Sequence, residues 1–246
     1  MPNHERPLID PSDTAPAEAG LSLARRSAAE FAGTAALAAV VIGSGIAAEQ
    51  LSPGDLGLQL LENSTASAFG LAVLILAFGP ISGAHFNPVM SLADWLGGRR
   101  QRTGLGTREL GAYVSAQCAG AIVGALLANA MFDRTPLQIA THHRVTGGHL
   151  LGEILAAAGL IAVGFAAARQ GRGASAAALA AYLGSAIWFT SSGSFANPAL
   201  TMGRMLSDSF TGIAPASVPA FAAAQIVGGL AGSSLMTLLY RPAGTD

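Results

Sequence analysis

Two Asn-Pro dipeptides stand in near-matching frames, Ser82-Gly83-Ala84-His85-Phe86-Asn87-Pro88-Val89 and Ser192-Gly193-Ser194-Phe195-Ala196-Asn197-Pro198-Ala199. Each follows an apolar stretch and opens a short apolar segment. Asn is a favoured helix N-cap and Pro a favoured first helical residue, so each frame predicts a helix start. Charges at Asp94 and Arg204 arrive before either helix has the length to cross a bilayer. Two helices too short to span, one in each half of an apolar chain, restrict the fold severely. They fit a membrane protein whose interior constriction is built from opposed helix N-termini.

The rest of the chain supplies the membrane. It is 51% hydrophobic and only 11% charged, where soluble domains carry about 25% charged residues. Six apolar stretches are predicted as spans, at roughly 28–48, 64–81, 110–132, 150–168, 174–190 and 218–239. The second and fifth look short and run directly into the Asn-Pro frames. The first is too long for a signal-peptide core, contains Glu30 and follows a polar tail. The 31 glycines suit helices packed closely through small residues. The single Cys118 excludes an intrachain disulfide framework and is read as packing. A net charge of −1 gives no nucleic-acid footprint.

All 13 basic residues are Arg. With the N-terminus inside, Arg6, Arg25, Arg26, Arg99, Arg100, Arg102, Arg108, Arg169, Arg172 and Arg241 fall on the cytoplasmic side. Arg134, Arg144 and Arg204 fall outside, so both termini are expected in the cytoplasm. Residues 1–24 read as a disordered tail and 25–246 as one channel domain.

An internal repeat runs through that domain, over about 25–135 and 149–241. Ser115–Gly120 echoes Ala223–Gly228, aligning Gln117 with Gln225, and an intramembrane glutamate opens each half, Glu30 and Glu153. Three spans per half forces the halves into opposite topologies. The half-helices then enter from opposite faces and meet near the midplane. An ionisable residue at that depth is a functional candidate by default, and both glutamates are expected to fix the loops by accepting backbone N–H bonds. The competing reading makes each an interfacial residue near the end of its span. His85 is read as pore-lining and structural. Gln117 and Gln225 are expected to hydrogen-bond between helices. His142, His143 and His149 fit no zinc spacing and are placed in a solvated external loop; no metal or other cofactor is expected.

On these frames and glutamates, the chain from about Arg25 to Tyr240 resembles the aquaporin (major intrinsic protein) family. The resemblance implies an all-α membrane protein of six transmembrane helices plus two re-entrant half-helices. It also implies a passive channel, not an enzyme, assembled as a homotetramer with one pore per subunit. Pore motifs would be Asn87, Pro88, Val89 and Asn197, Pro198, Ala199, with Val89 departing from the usual Ala. By the family's spacing the selectivity filter falls on Ser67, Ser185, Ser194 and Leu200, with Gly184 and Ala186 as alternatives to Ser185. Leu200 stands where water-selective members and glycerol facilitators carry Arg, and Thr201 where the facilitators carry Asp.

A filter of three small hydroxyls and one leucine, as the resemblance implies, is expected to be wider than a water filter and to carry no fixed charge. It resembles that of bacterial members found beside arsenic-resistance genes, implying neutral metalloid hydroxides such as arsenite, methylated arsenicals, glycerol-sized polyols and water as solutes, and the bacterial inner membrane as location. A water-selective pore and a coupled secondary transporter are the alternatives. Arg204, one helical turn beyond Leu200, either leans back to the pore mouth or snorkels to the surface.

Overall fold

The computed structural model describes residues 20–101 and 104–240. They form eight α-helices and no strand: α1 (Leu23–Leu51), α2 (Leu56–Ser82), α3 (Pro88–Gln101), α4 (Thr107–Met131), α5 (Gly147–Ala168), α6 (Arg172–Phe189), α7 (Pro198–Arg204) and α8 (Val218–Leu239). Six are long, and the two short ones begin at the prolines of the Asn-Pro frames. Five of the long helices are sufficiently long and apolar to cross a membrane. The sixth, α6, has 18 residues, opens on Arg172, and takes its place by packing on α2 and α5.

Local chemistry sets the boundaries. Ser22 caps α1, Asp55 caps α2 through Leu58 N (2.9 Å), and Thr146 caps α5 through His149 N (3.0 Å). α1 therefore starts two residues inside the stretch expected as tail; residues 1–19 of that stretch lie outside the described residues, as do Arg6, Arg102 and Arg241. The second span is not short. α2 gains two turns before residue 64 because its polar residues find buried partners: Gln59 Nε2 donates to Ser52 O (2.8 Å), and Asn63 Nδ2 to Val41 O (2.8 Å). A hydropathy reading stops at such residues; paired, they are tolerated inside.

The halves repeat in three dimensions. α1 packs on α2 and α4 as α5 packs on α6 and α8, while each half-helix lies against the last helix of the other half. Small residues make the main seams. A Cβ on Gly120 would lie 2.4 Å from Phe31 O, and on Gly124 2.2 Å from Ala35 O. In the second half, Gly228 and Gly232 approach Ile154 O and Ala158 O in the same way, at 2.3 and 2.4 Å. Neither pair of helices can reach this separation with a larger residue at these positions. The seams place Glu30 and Glu153 at matching heights, one residue before Phe31 and Ile154.

Long-range bonds identify the two faces. Arg26 of α1 bonds Tyr113 and Glu109 of α4, and Tyr113 Oη donates to Ser82 O at the end of α2, so the start of α1, the end of α2 and the start of α4 share one face. Arg134 pairs with Glu49 at 3.0 Å on the other face, where the 132–146 loop meets the 205–217 connection.

Candidate functional site

The segments leading into α3 and α7 share an unusual backbone. Gly83, Ala84 and Phe86 have φ of 86°, 53° and 50°; Gly193, Ser194 and Ala196 have 74°, 47° and 47°. Four of these six bear a Cβ, and the left-handed region costs such residues about 1–2 kcal/mol each. Two carboxylates hold the strained loops in place. Glu30 accepts His85 N (3.0 Å) and Ser82 Oγ (2.6 Å) on Oε1, and Phe86 N (2.7 Å) and Gln117 Nε2 (2.7 Å) on Oε2. Glu153 accepts Phe195 N (2.9 Å) on Oε1, and Ala196 N (2.8 Å) and Gln225 Nε2 (2.6 Å) on Oε2. Both side chains are fully buried. The glutamates are therefore interior loop anchors rather than interfacial residues, and both glutamines bridge helices.

With their N–H groups turned toward the carboxylates, the loops leave acceptors free. Among the described residues, the carbonyls of Ala84, His85, Ser194 and Phe195 accept no protein hydrogen bond, and these residues line one narrow cavity. Asn87 and Asn197 close the arrangement reciprocally: Asn87 Nδ2 donates to Ala196 O and Asn197 Nδ2 to Phe86 O, both at 2.8 Å. Their side-chain oxygens cap the half-helices, accepting Val89 N (2.9 Å) and Ala199 N (3.0 Å) respectively. Each amide thus retains one further N–H, at the point where the two loops meet.

The cavity offers about 70 Å³ of water-accessible space, room for a short file of waters at roughly 10–15 Å³ each. One wall is apolar, built from Leu37, Val41, Leu71, Ile75, Leu160 and Leu179; the other carries the loop carbonyls and both asparagines. Ser67, Ser194 and Leu200 all line it and are buried, and the Ser67 and Ser194 hydroxyls have no partner among the described residues. His85 lines it as well, its Nδ1 3.1 Å from Ser91 Oγ and its ring edge-on to Tyr113.

Ser185 does not join them. It is exposed on the outer side of α6, its hydroxyl turned back to Tyr182 O at 2.9 Å. Leu183 and Ile187 line the cavity instead. At 100° per residue, Ser185 sits about 200° away from both. The buried stripe Ala176, Leu179, Ala180, Ile187 carries the inward face, and following that helical period rather than counting back from Asn197 finds Ile187.

Two features of the motifs acquire a reason. Val89 is accommodated because Gly229 faces it: a Cβ there would lie 2.1 Å from Val89 Cγ1. In the other half Ala199 packs with Ala121, the counterpart of Gly229 four residues after the glutamine, so the two halves use a large–small and a medium–medium pair. Thr201 receives Gln225 Nε2 at 2.9 Å, as Ser91 receives Gln117 Nε2 at 2.9 Å, so the hydroxyls secure the start of each half-helix.

Arg204 turns inward. It is 8% exposed, its Nε donates to Thr211 O, its Cζ stacks 3.3 Å from the Phe195 ring centroid, and it borders both the narrow cavity and a wider vestibule of about 560 Å³ beyond it. The vestibule holds a second guanidinium that sequence reasoning placed in a loop without a role. Arg144 donates through Nε to Gly212 O (2.6 Å) and through Nη2 to Phe210 O (2.9 Å), and its Cζ lies 5.3 Å from the same Phe195 ring. Burial lowers the Arg144 pKa, with Glu153 opposing the shift. His142 and His143 are exposed, as a solvated loop requires, whereas His149 is half-buried with its Nδ1 bonded to Arg144 O (2.6 Å); His142 also borders the vestibule. No local signal marks Arg144, since its partners lie 66 and 68 residues away.

Comparison with known proteins agrees with this architecture. The major intrinsic protein family model matches residues 19–191. Aquaglyceroporin AqpS of Rhizobium meliloti (strain 1021) is 43% identical over 221 residues, covering 90% of this chain and 92% of that protein. The glycerol uptake facilitator protein of Pseudomonas aeruginosa is 32% identical over 128 residues, 52% of this chain and 43% of that one. The X-ray structure of the aquaglyceroporin from Plasmodium falciparum shares the fold, with a TM-score of 0.67 at 18% identity, covering 89% of this chain and 96% of its own. The re-entrant loops, the reciprocal asparagines and these matches lead to one conclusion: the chain belongs to the major intrinsic protein family.

Proposed function

We propose that this protein is a passive membrane channel, not a catalyst, for small uncharged hydroxylated solutes: polyols such as glycerol, metalloid hydroxides such as arsenite, methylated arsenicals, and water. The observation that carries the reading is the two-sided cavity. Unclaimed carbonyls and the free Ser67 and Ser194 hydroxyls face an apolar wall across a single-file space. Hydroxyls of a solute bond one side while its carbon or metalloid face packs on the other. Leu200 and Ile187 widen the repertoire by replacing charge with apolar surface at the narrow end. The names of the two relatives, an aquaglyceroporin and a glycerol uptake facilitator, support the same solute class.

Ions are disfavoured at the asparagines, where two helix N-termini converge and a cation meets partial positive charge from both. Glu30 and Glu153 are both taken up by loop N–H groups, so neither is free to couple flux to a proton or sodium. The arginine asymmetry supports cytoplasmic termini and an external vestibule, in the inner membrane of a bacterium. A single channel unit over 25–246, one pore per subunit of a homotetramer, completes the proposal.

Reconstitution into liposomes tests it by light scattering with glycerol, arsenous acid and water. Flux should exceed that of empty vesicles, rise linearly with concentration and ignore a pH gradient. Leu200→Arg should cut glycerol flux several-fold, because a guanidinium then occupies the narrow end. Solute flux no greater than in empty vesicles, or flux that saturates and follows a pH gradient, would overturn the reading.

A further inference from the structure

The vestibule places two guanidiniums, Arg144 and Arg204, beyond the narrow cavity. Arg204 is more than nine-tenths buried, yet among the described residues its Nη1 and Nη2 make no protein hydrogen bond and no carboxylate pairs with it. Among the same residues, Arg144 Nη1 makes no protein hydrogen bond either. Both guanidiniums lie over Phe195, their Cζ atoms 5.3 and 3.3 Å from its ring centroid, and both border the vestibule. The carboxylate bordering the same space, Glu49, is taken by Arg134 at 3.0 Å. Glu153 spends both oxygens on three N–H donors. Glu153 balances part of the guanidinium charge, and two planar cations with unclaimed N–H groups and a net positive charge face a space wide enough for a hydrated ion.

We propose that this vestibule binds a small oxyanion, a carboxylate or a tetrahedral anion of the phosphonate type, between Arg204 and Arg144, and that the bound ion occludes the path of neutral solutes. Guanidinium N–H groups match two oxygens of such an anion at once, a match a spherical halide lacks. Low-dielectric walls concentrate the field of both charges on the site. The ion travels no further. Leu200 and Ile187 lie just inside, and an ion passing them sheds its hydration without replacement. A protonated, neutral form of the same acid meets no such barrier, so the site separates the two forms of a weak oxyacid at the pore entrance.

Binding stands on the vestibule geometry alone; occlusion rests on the channel reading. The probe is methylphosphonate, with its uncharged dimethyl ester as the shape control. Binding to the purified protein is followed by phosphorus NMR titration, and glycerol flux is measured in phosphatidylcholine vesicles with probe on both sides, each variant normalised to its own flux without probe. Saturable binding and matching inhibition are expected, and neither with the ester. Arg144→Gln and Arg204→Gln should each weaken binding about tenfold or more, the loss of a charge-assisted hydrogen-bond pair. Absence of saturable binding, affinity unchanged in both variants, or equal inhibition by the ester would each overturn the site. Binding without inhibition overturns occlusion alone. Vesicles that pass no glycerol in any condition overturn the channel reading, and the titration then judges the site independently. Should Arg204→Gln not fold, Arg144→Gln and the ester comparison decide.

Discussion

Replacing Glu153 by glutamine tests whether a carboxylate holds the second loop in its strained path. The side chain accepts Phe195 N on one oxygen and Ala196 N with Gln225 Nε2 on the other. Glutamine keeps one oxygen and places an NH₂ where the other stood. The less costly orientation puts that NH₂ against Phe195 N, stranding one buried donor beside another. A hydrogen bond to a charged group contributes about 1.5–3 kcal/mol, and the two surviving bonds fall to neutral strength, near 1 kcal/mol each. Relief from burying a charge offsets part of the loss, leaving a net cost of about 2–4 kcal/mol. For a chain of this size that corresponds to roughly 5–15 °C in melting temperature. Ser194 and Ala196, released from φ of 47°, can relax toward ordinary backbone and swing their carbonyls out of the cavity. Flux should therefore fall more than stability. Thermal unfolding in detergent and glycerol flux in liposomes read the two effects separately. A Glu153→Gln protein that melts within about 1 °C of the original and conducts normally would refute the role assigned to this carboxylate.

Two further perturbations probe the midplane and the seams. Asn197→Asp removes the donor to Phe86 O and sets an oxygen against that carbonyl, so proton leak in dye-loaded vesicles should rise while stability drops by about 1–3 kcal/mol; unchanged leak would remove this asparagine from the ion barrier. Gly229→Ala alone drives a Cβ into Val89 and should cost about 1–3 kcal/mol, whereas the double variant Val89→Ala/Gly229→Ala rebuilds the Ala199–Ala121 arrangement of the other half and should regain most of it in the same melting assay. Additive losses would show that the two positions do not share a site.

The vestibule separates this chain from a simple sieve. Phe195 is fixed by Arg204 at 3.3 Å and by Phe221, whose ring meets it edge-on at 5.3 Å. An aromatic carrying two guanidiniums supplies positive charge one helical turn outside the position where Leu200 stands.

What could be read from the chain alone is whatever depends on neighbours in sequence or on a repeated spacing. Asn before Pro starts a helix because capping is local, and both half-helices begin where the frames say. The repeat carried Glu30, Gln117, Glu153 and Gln225 to matching positions, since equal offsets along equivalent helices give equal heights. Polar residues within α2 were opaque, because only a partner carbonyl across the helix interface makes Gln59 and Asn63 tolerable inside. Tertiary structure alone decided which face of α6 turns inward, which is why Ser185 yields its place to Leu183 and Ile187. It alone brought Arg144 to Phe195, through carbonyls more than sixty residues away. A side chain's direction and its distant partners are set by packing of whole helices, and no window along the sequence contains that information.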